Sequence, residues 1–276
     1  MANQPLRIAF VTSEFISEKK SGGGLGNYLN RITQALKQLG HIPEVFVISS
    51  AQPSVIDFNG IRVQRVPKIQ NFPIRLFSRI TQKFRLTKGA PWGGPEAYLS
   101  FAYSLSCAFK ERHAEKPFDL VQSTNCHASG YFLSQVSDCP PHLVRLSSKR
   151  DLWFRTDGRV SGRGTKWMWQ LERACIRKAD IAYAPSQFVA ERCRQDGWRA
   201  DMRVLRPPVF VESEPNSELP SYLPERYLIH FGQIGKRKGS PSLASALCHV
   251  WEQEPNFKMI WVGNPIKEGE YERCHK

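Results

Sequence analysis

The chain has 276 residues, of which 41% are hydrophobic and 23% charged, the balance of a folded globular protein and not of a disordered or fibrous one. Its 39 Lys and Arg against 25 Asp and Glu give a net charge of +14, which favours anionic partners: nucleic acid, acidic lipid or a phosphorylated small molecule. No apolar run reaches the roughly 18 residues of a membrane-spanning helix, the N-terminus lacks a signal-peptide pattern, and the seven cysteines (107, 126, 139, 175, 193, 248 and 274) form no C-x-x-C pair, so reduced thiols in a cytoplasmic protein are expected and a zinc site is not.

In chain order, Arg7–Thr12 reads as a buried strand. The stretch "SEKKSGGGLGNYL" follows, and a helix is predicted over Asn27–Leu39, where Leu29, Ile32, Leu36 and Leu39 recur at near-helical spacing. Strands are predicted at Glu44–Ser50 and, with half-buried alternation, at Gly60–Val66. The segment 69–88 carries Arg75, Arg79, Lys83, Arg85 and Lys88 without an acid, and Leu76, Ile80 and Phe84 recur every four residues. As a helix it would be basic and amphipathic, suited either to an anionic membrane surface or to a core with a solvated basic face. Further on the pattern gives a helix at Tyr98–His113, strands at "FDLVQS" and Pro141–Ser147, and a helix at Lys166–Ala179. A strand at Asp180–Ser186, a helix at Phe188–Gln195 and a strand at "MRVLRPP" complete the series. Repeated strand–helix units imply a parallel sheet covered on both faces.

Three domain segments are expected: 1–209, a linker at 210–226 rich in Pro, Ser and Glu, and a second α/β unit at 227–276. The last holds a strand "YLIHFG", a basic glycine loop "GQIGKRKGS", a helix at Pro241–Glu252 and a strand "KMIWVG". Two strands and one helix bury little core, so this second unit reads as incomplete.

Glycines between a strand's carboxyl end and a helix N-terminus let a phosphate approach free N–H groups. Neither G-x-G-x-x-G nor G-x-x-x-x-G-K-[ST] fits the run beginning at Gly22, which leaves a phosphate cradle and a plain surface loop both open. Lys236, Arg237 and Lys238 lie in the second glycine loop, where cations suit a diphosphate; two such loops, one per domain, suggest a cleft. A nucleic-acid-binding protein would also account for the charge, but no helix-turn-helix, zinc or RRM-like signature is present.

Taken together, "RIAFVTSEF…SGGGLGNYLNRITQALKQLGHIPEVFVI", "LERACIRKADIAYAPSQFVAERC" (with Glu172, Ala179, Asp180, Pro185 and Ser186), "VLRPPV", "YLIHFGQIGKRKGSPSLASAL" and "FKMIWVG" resemble glycosyltransferase family 4 in order and over nearly the whole chain. The resemblance implies an α/β GT-B fold: a Rossmann-like N-terminal acceptor-side domain and the beginning of a Rossmann-like nucleotide-sugar-binding domain. It implies a retaining transferase that moves a hexosyl group from a UDP- or GDP-sugar to a glycan or lipid-linked acceptor, as in polysaccharide biosynthesis, without metal or other cofactor. Gly23 and Gly24 would offer N–H groups to the donor diphosphate, and Lys238 would neutralise it as it leaves. Gln233 stands where the family usually has arginine, with Arg237 or Lys236 as a substitute cation; Gln122 stands where it often has histidine, and His127 is the catalytic candidate nearby. The family's acidic donor-binding segment has no counterpart before Lys276, so impaired activity, a complementing chain with the missing half, or a non-catalytic acceptor-binding subunit are the implied alternatives. The location implied is the cytoplasm, with peripheral contact to the inner membrane face through 69–88.

Overall fold

A computed structural model describes residues 4–18, 23–69, 71–83, 90, 93–209 and 220–264. The chain forms two compact units, Met1–Arg150 with Ser161–Phe210, and Asp151–Val160 with Val211–Lys276.

The first unit is built on one sheet. Its strands are β1 (Arg7–Thr12), β2 (Ile42–Ile48), β3 (Ser54–Phe58), β4 (Ile61–Val66), β5 (Leu120–Thr124), β6 (His142–Arg145), β7 (Ile181–Ala184) and β8 (Arg203–Val204). They lie in the order β3-β4-β2-β1-β5-β6-β7-β8. Every pairing is parallel except β3 with β4, which is antiparallel. This edge hairpin departs from the all-parallel expectation. Its turn is Asn59–Gly60 at φ 53° and 74°, the doubly left-handed geometry that lets a two-residue turn match strand twist.

Both faces of the sheet are covered, and the period of two along β1 shows how. Ile8 and Phe10 pack with Val45, Val47 and with Leu25, Tyr28 and Leu29 of α1 (Gly24–Gln38). Ala9 and Val11 face the other way, onto Phe46 and onto Leu105 and Phe109 of α3 (Gly94–Glu115). A third cluster joins Val144, Ala182 and Ala184 to Met168, Cys175 and Ile176 of α5 (Arg163–Lys178) and to Ala190 and Cys193 of α6 (Gln187–Gln195). At the amino end of the sheet Glu44 is buried and takes Arg7, Arg62 and Arg112 as partners at 2.5, 3.3 and 3.0 Å. The arginines hold its carboxyl below the usual range against the opposing effect of burial.

Helix α1 begins at Gly24, three residues earlier than its apolar periodicity predicts, so two glycines lie at its N-cap and first position. The segment 69–88 is helical as α2 (Phe72–Lys83); Phe84, Arg85 and Lys88 lie outside the described residues. Residues 210–219 of the expected linker, Gly22 and Cys274 are outside them too.

In the second unit β9 (Leu228–Phe231) and β10 (Met259–Val262) pair in parallel, connected through α7 (Ser240–Gln253). Gly263 has φ 154°, and a Cβ there would lie 1.6 Å from the Gly232 carbonyl oxygen, so only glycine allows the two strand ends to meet. Ile234 and Leu247 are buried, but Leu228, Ile229 and Phe231 are exposed, the last at 83%. Helix α4 (Arg150–Thr156) contributes Arg150 to the first unit and its remaining residues to the second.

Candidate functional site

In an open parallel sheet the chain direction reverses at one point, and ligands bind outside the carboxyl ends of the strands there. In the first unit that point lies between β1 and β5, where successive strands run outward to opposite edges. Ser13 and Glu14 leave β1 there; Asn125, Cys126 and His127 leave β5.

His127 has φ 56° and Ala128 φ 49°, two consecutive left-handed residues that are not glycine. Such backbone costs on the order of 1–3 kcal/mol per residue and persists only where the surroundings enforce it. Here Asn125 enforces it. Its amide donates to Ser148 O (2.8 Å) and to Glu172 Oε2 (3.1 Å), and its Oδ1 accepts from the Ser147 N–H (2.8 Å). The Ser129 hydroxyl closes the turn on Cys126 O at 2.8 Å. The result aims the half-buried His127 ring at β1, with Nδ1 2.7 Å from Ser13 Oγ. Tyr98 and Phe101 meet the ring edge-on at 5.0 and 5.5 Å. An imidazole so oriented can hold or pass a proton at the switch point.

Beneath it lies a buried polar network. The Arg150 guanidinium donates to Cys126 Sγ (2.8 Å) and to Tyr98 Oη (2.5 Å), and sits 3.5 Å from Glu172. Tyr98 in turn donates to Glu172 Oε1 at 3.3 Å. Burial pushes the Glu172 carboxyl up to about 7, opposed by Arg150. The family-like segment thus braces the framework: Asp180 accepts from the His142 N–H at 2.7 Å, and Ser186 caps α6 through the Val189 N–H. Gln122 likewise is not at the strand end; it is buried in β5 and accepts from Tyr183 Oη at 2.8 Å.

Gly23 is the N-cap of α1, and no side chain caps that helix. A Cβ on Gly23 would lie 2.3 Å from Glu14 Oε1, so the carboxylate rests on the glycine. Gly24 has nothing within 4 Å of its missing Cβ. Open backbone at the positive end of a helix therefore lies at Gly24, while Glu14 already covers Gly23.

In the second unit a 3₁₀ turn at Lys236–Lys238 joins β9 to α7. Ser240, fully buried, pins it by accepting from the Gly235 N–H at 2.9 Å. Arg237 lies 3.4 Å from Asp157 and 4.7 Å over the Trp153 ring. Gln233, Lys236 and Lys238 are exposed, and Lys238 has no ion pair among the described residues. The turn thus carries three cations, Arg237 facing Asp157 and Lys236 and Lys238 exposed.

Helix α2 in the first unit buries Ile74 and Thr81 and lays Phe77 against Trp167 at 5.9 Å. Phe72, Leu76 and Ile80, spaced every fourth residue, are exposed at 75, 46 and 45%, beside exposed Arg75, Arg79 and Lys83. The apolar stripe seen in the sequence thus faces outward. A groove of 610 Å³ runs between α2 and α3, lined by Ile74, Phe77, Leu99, Tyr103, Lys110 and Phe132. No helix among the described residues is long and apolar enough to cross a membrane.

A parallel sheet with helices on both faces and a strained histidine turn at its switch point defines the class; the sequence defines the family. The chain belongs to the glycosyl transferase 4-like domain family, whose model matches residues 23–208. Comparison with curated protein sequences gives no match. Among solved structures it is similar to sucrose-phosphate synthase from Thermosynechococcus elongatus, with 18% identity, TM-score 0.63, and 97% of this chain and 65% of that chain covered. It is also similar to the catalytic domain of starch synthase IV from Arabidopsis thaliana bound to ADP and acarbose, with 12% identity, TM-score 0.57, and coverage of 99% and 71%. A third is the UDP-forming α,α-trehalose-phosphate synthase from Burkholderia vietnamiensis, with 13% identity, TM-score 0.55, and coverage of 99% and 67%. The chain therefore has the GT-B type of fold and spans about two thirds of the length of these proteins.

Proposed function

We propose that the protein is a retaining glycosyltransferase that moves a hexosyl group from a UDP- or GDP-sugar to a glycan or lipid-linked acceptor. The observation that carries this reading is the family domain over residues 23–208, with His127 held at the switch point 2.7 Å from Ser13. The ADP in the starch synthase IV structure supports a nucleotide-linked donor for this fold.

On this reading Lys238 takes the charge that grows on the diphosphate as the bond from the sugar's anomeric carbon to the phosphate oxygen breaks. A fixed cation that meets charge developing in the transition state lowers the barrier. In the first unit the Gly24 N–H, at the uncapped start of α1 with Gly23 as its backbone neighbour, is a donor suited to a phosphate oxygen. Gln233 contributes hydrogen bonding without charge, and Arg237 or Lys236 supplies the cation that the glutamine lacks. His127 contacts the reacting sugar or acceptor hydroxyl. No resident metal or cofactor is part of this scheme.

We place the protein in the cytoplasm, with α2 resting on the inner face of the membrane. The exposed row Phe72, Leu76 and Ile80 between Arg75, Arg79 and Lys83 supports this. The test is incubation of the purified protein with radiolabelled UDP- and GDP-sugars and a membrane extract. Incorporation of label that depends on both His127 and Lys238 supports the reading, and labelling unchanged in His127→Ala and Lys238→Ala contradicts it.

A further inference from the structure

Arg145 ends β6 and is 5% exposed, yet no carboxylate pairs with it among the described residues. Its guanidinium has one hydrogen bond, to Ser147 Oγ at 3.0 Å, and lies 3.6 Å over the Tyr28 ring. Its Nε is buried without a hydrogen-bond partner. A buried cation is retained when something compensates it, and a ring face and a hydroxyl compensate only part of a full charge. Every other buried arginine described in this unit has a carboxylate: Arg7 has Glu44 and Arg150 has Glu172.

The neighbours of Arg145 share the deficit. The sheet register places Thr124, Arg145 and Tyr183 side by side on β5, β6 and β7, on one face, with Gln122 two residues back on β5. Thr124 Oγ1 and Gln122 Nε2 are also buried without partners. Tyr183 gives its hydroxyl proton to Gln122 and meets Tyr28 Oη at 3.0 Å, so both tyrosines are occupied. Buried polar atoms are normally satisfied, and three orphans on one face, one of them on an uncompensated cation, mark a place for a bound group. The row ends at the carboxyl edge of the sheet, beside the switch point.

We propose that Arg145, Thr124 and Gln122 form a subsite for an oxyanion, a phosphate or carboxylate group of a small ligand. The guanidinium Nε–H, the threonine hydroxyl and the glutamine amide each donate to one oxygen, and the ligand's charge completes the compensation that the protein lacks. The proposal stands apart from the transferase reading, because it uses neither His127 nor Lys238.

The test is thermal unfolding of the whole chain in increasing inorganic phosphate, for the wild type, Arg145→Met and Thr124→Val. At phosphate about 100 times its dissociation constant the wild type should gain about 5 °C in Tm. Arg145→Met should lose that gain, and Thr124→Val should need several-fold more phosphate. A general salting effect would persist in Arg145→Met, and that outcome overturns the proposal, as does a wild type without any saturable response. Should Arg145→Met fail to fold, an unchanged phosphate response in Thr124→Val overturns it equally. Repeating the series with acetate and with a sugar phosphate separates a carboxylate from a phosphate and a free anion from a sugar-borne one; an Arg145-dependent response to any one supports the subsite, and none to all three contradicts it.

Discussion

Replacing Arg150 by methionine removes the cation from the network under His127 and leaves the Glu172 carboxyl fully buried without its partner. The two side chains are 5% and 0% exposed and 3.5 Å apart, so the loss is that of a broken buried ion pair, about 3–5 kcal/mol. The loss depends on pH, and its sign follows from Glu172. Its folded carboxyl already lies at about 7, above the ordinary 4.5, because of burial, and Arg150 opposes that rise. Without Arg150 it rises further. A carboxyl raised on folding stabilises the fold only while protonated; that contribution is full below 4.5 and is lost as pH climbs through the folded value. At pH 5 the variant should therefore lose only the hydrogen bonds to Cys126 and Tyr98, about 1–2 kcal/mol together. At pH 8 it should lose the full 3–5 kcal/mol expected of the broken pair. Urea unfolding of wild type, Arg150→Met and Arg150→Met/Glu172→Gln at both pH values measures this, and the double variant should recover most of the loss at pH 8. Equal losses at pH 5 and pH 8 would refute the account of Glu172 as a buried acid held by Arg150.

His142, buried with Nε2 2.8 Å from Ser123 Oγ, is pushed down from 6.5 to about 4 by burial against the pull of Asp180. Its neutral form thus contributes about 3 kcal/mol above pH 6.5, lost as pH falls through 4, and an imidazole that titrates near 6.5 by NMR would contradict this. Glu44→Gln should cost about 3–5 kcal/mol, since three arginines converge on that one carboxylate; a urea midpoint within error of wild type would show the cluster to be idle. Arg75→Glu with Arg79→Glu should weaken binding to anionic vesicles by about 1 kcal/mol or more per reversed charge and leave binding to neutral vesicles unchanged, as read by co-sedimentation. Equal binding of wild type and variant to anionic vesicles would remove α2 from the membrane.

The buried strands are legible because their apolar runs are continuous: "RIAFVT" feeds both faces of the sheet, and its limits agree with β1. The hairpin at 54–66 was legible in principle, since Asn59–Gly60 between alternating runs is a two-residue turn signal, but Asp57 and Ser54 mask the first strand. The start of α1 was not legible. Glycine disfavours helix, and only the packing of Leu25, Tyr28 and Leu29 on the sheet carries the helix back to Gly24. The outward turn of Leu76 and Ile80 was hidden for a related reason: a periodic stripe gives a face, while the partner of that face depends on the fold, here Ile74 and Thr81 instead. His127 was visible as a candidate, but Ser13, 114 residues away, could become its partner only through the adjacency of β1 and β5. The same holds for Tyr98, Cys126, Arg150 and Glu172, which sequence keeps apart and topology collects.

The central claim, a nucleotide-sugar donor whose diphosphate is met by Lys238, is tested most directly by calorimetric titration of the purified chain with UDP and GDP. The account predicts that at least one binds, and that Lys238→Ala weakens it by about 1–3 kcal/mol, the range of a charged hydrogen bond, while His127→Ala leaves it unchanged. Binding of neither nucleotide, or equal affinity in wild type and Lys238→Ala, would contradict it.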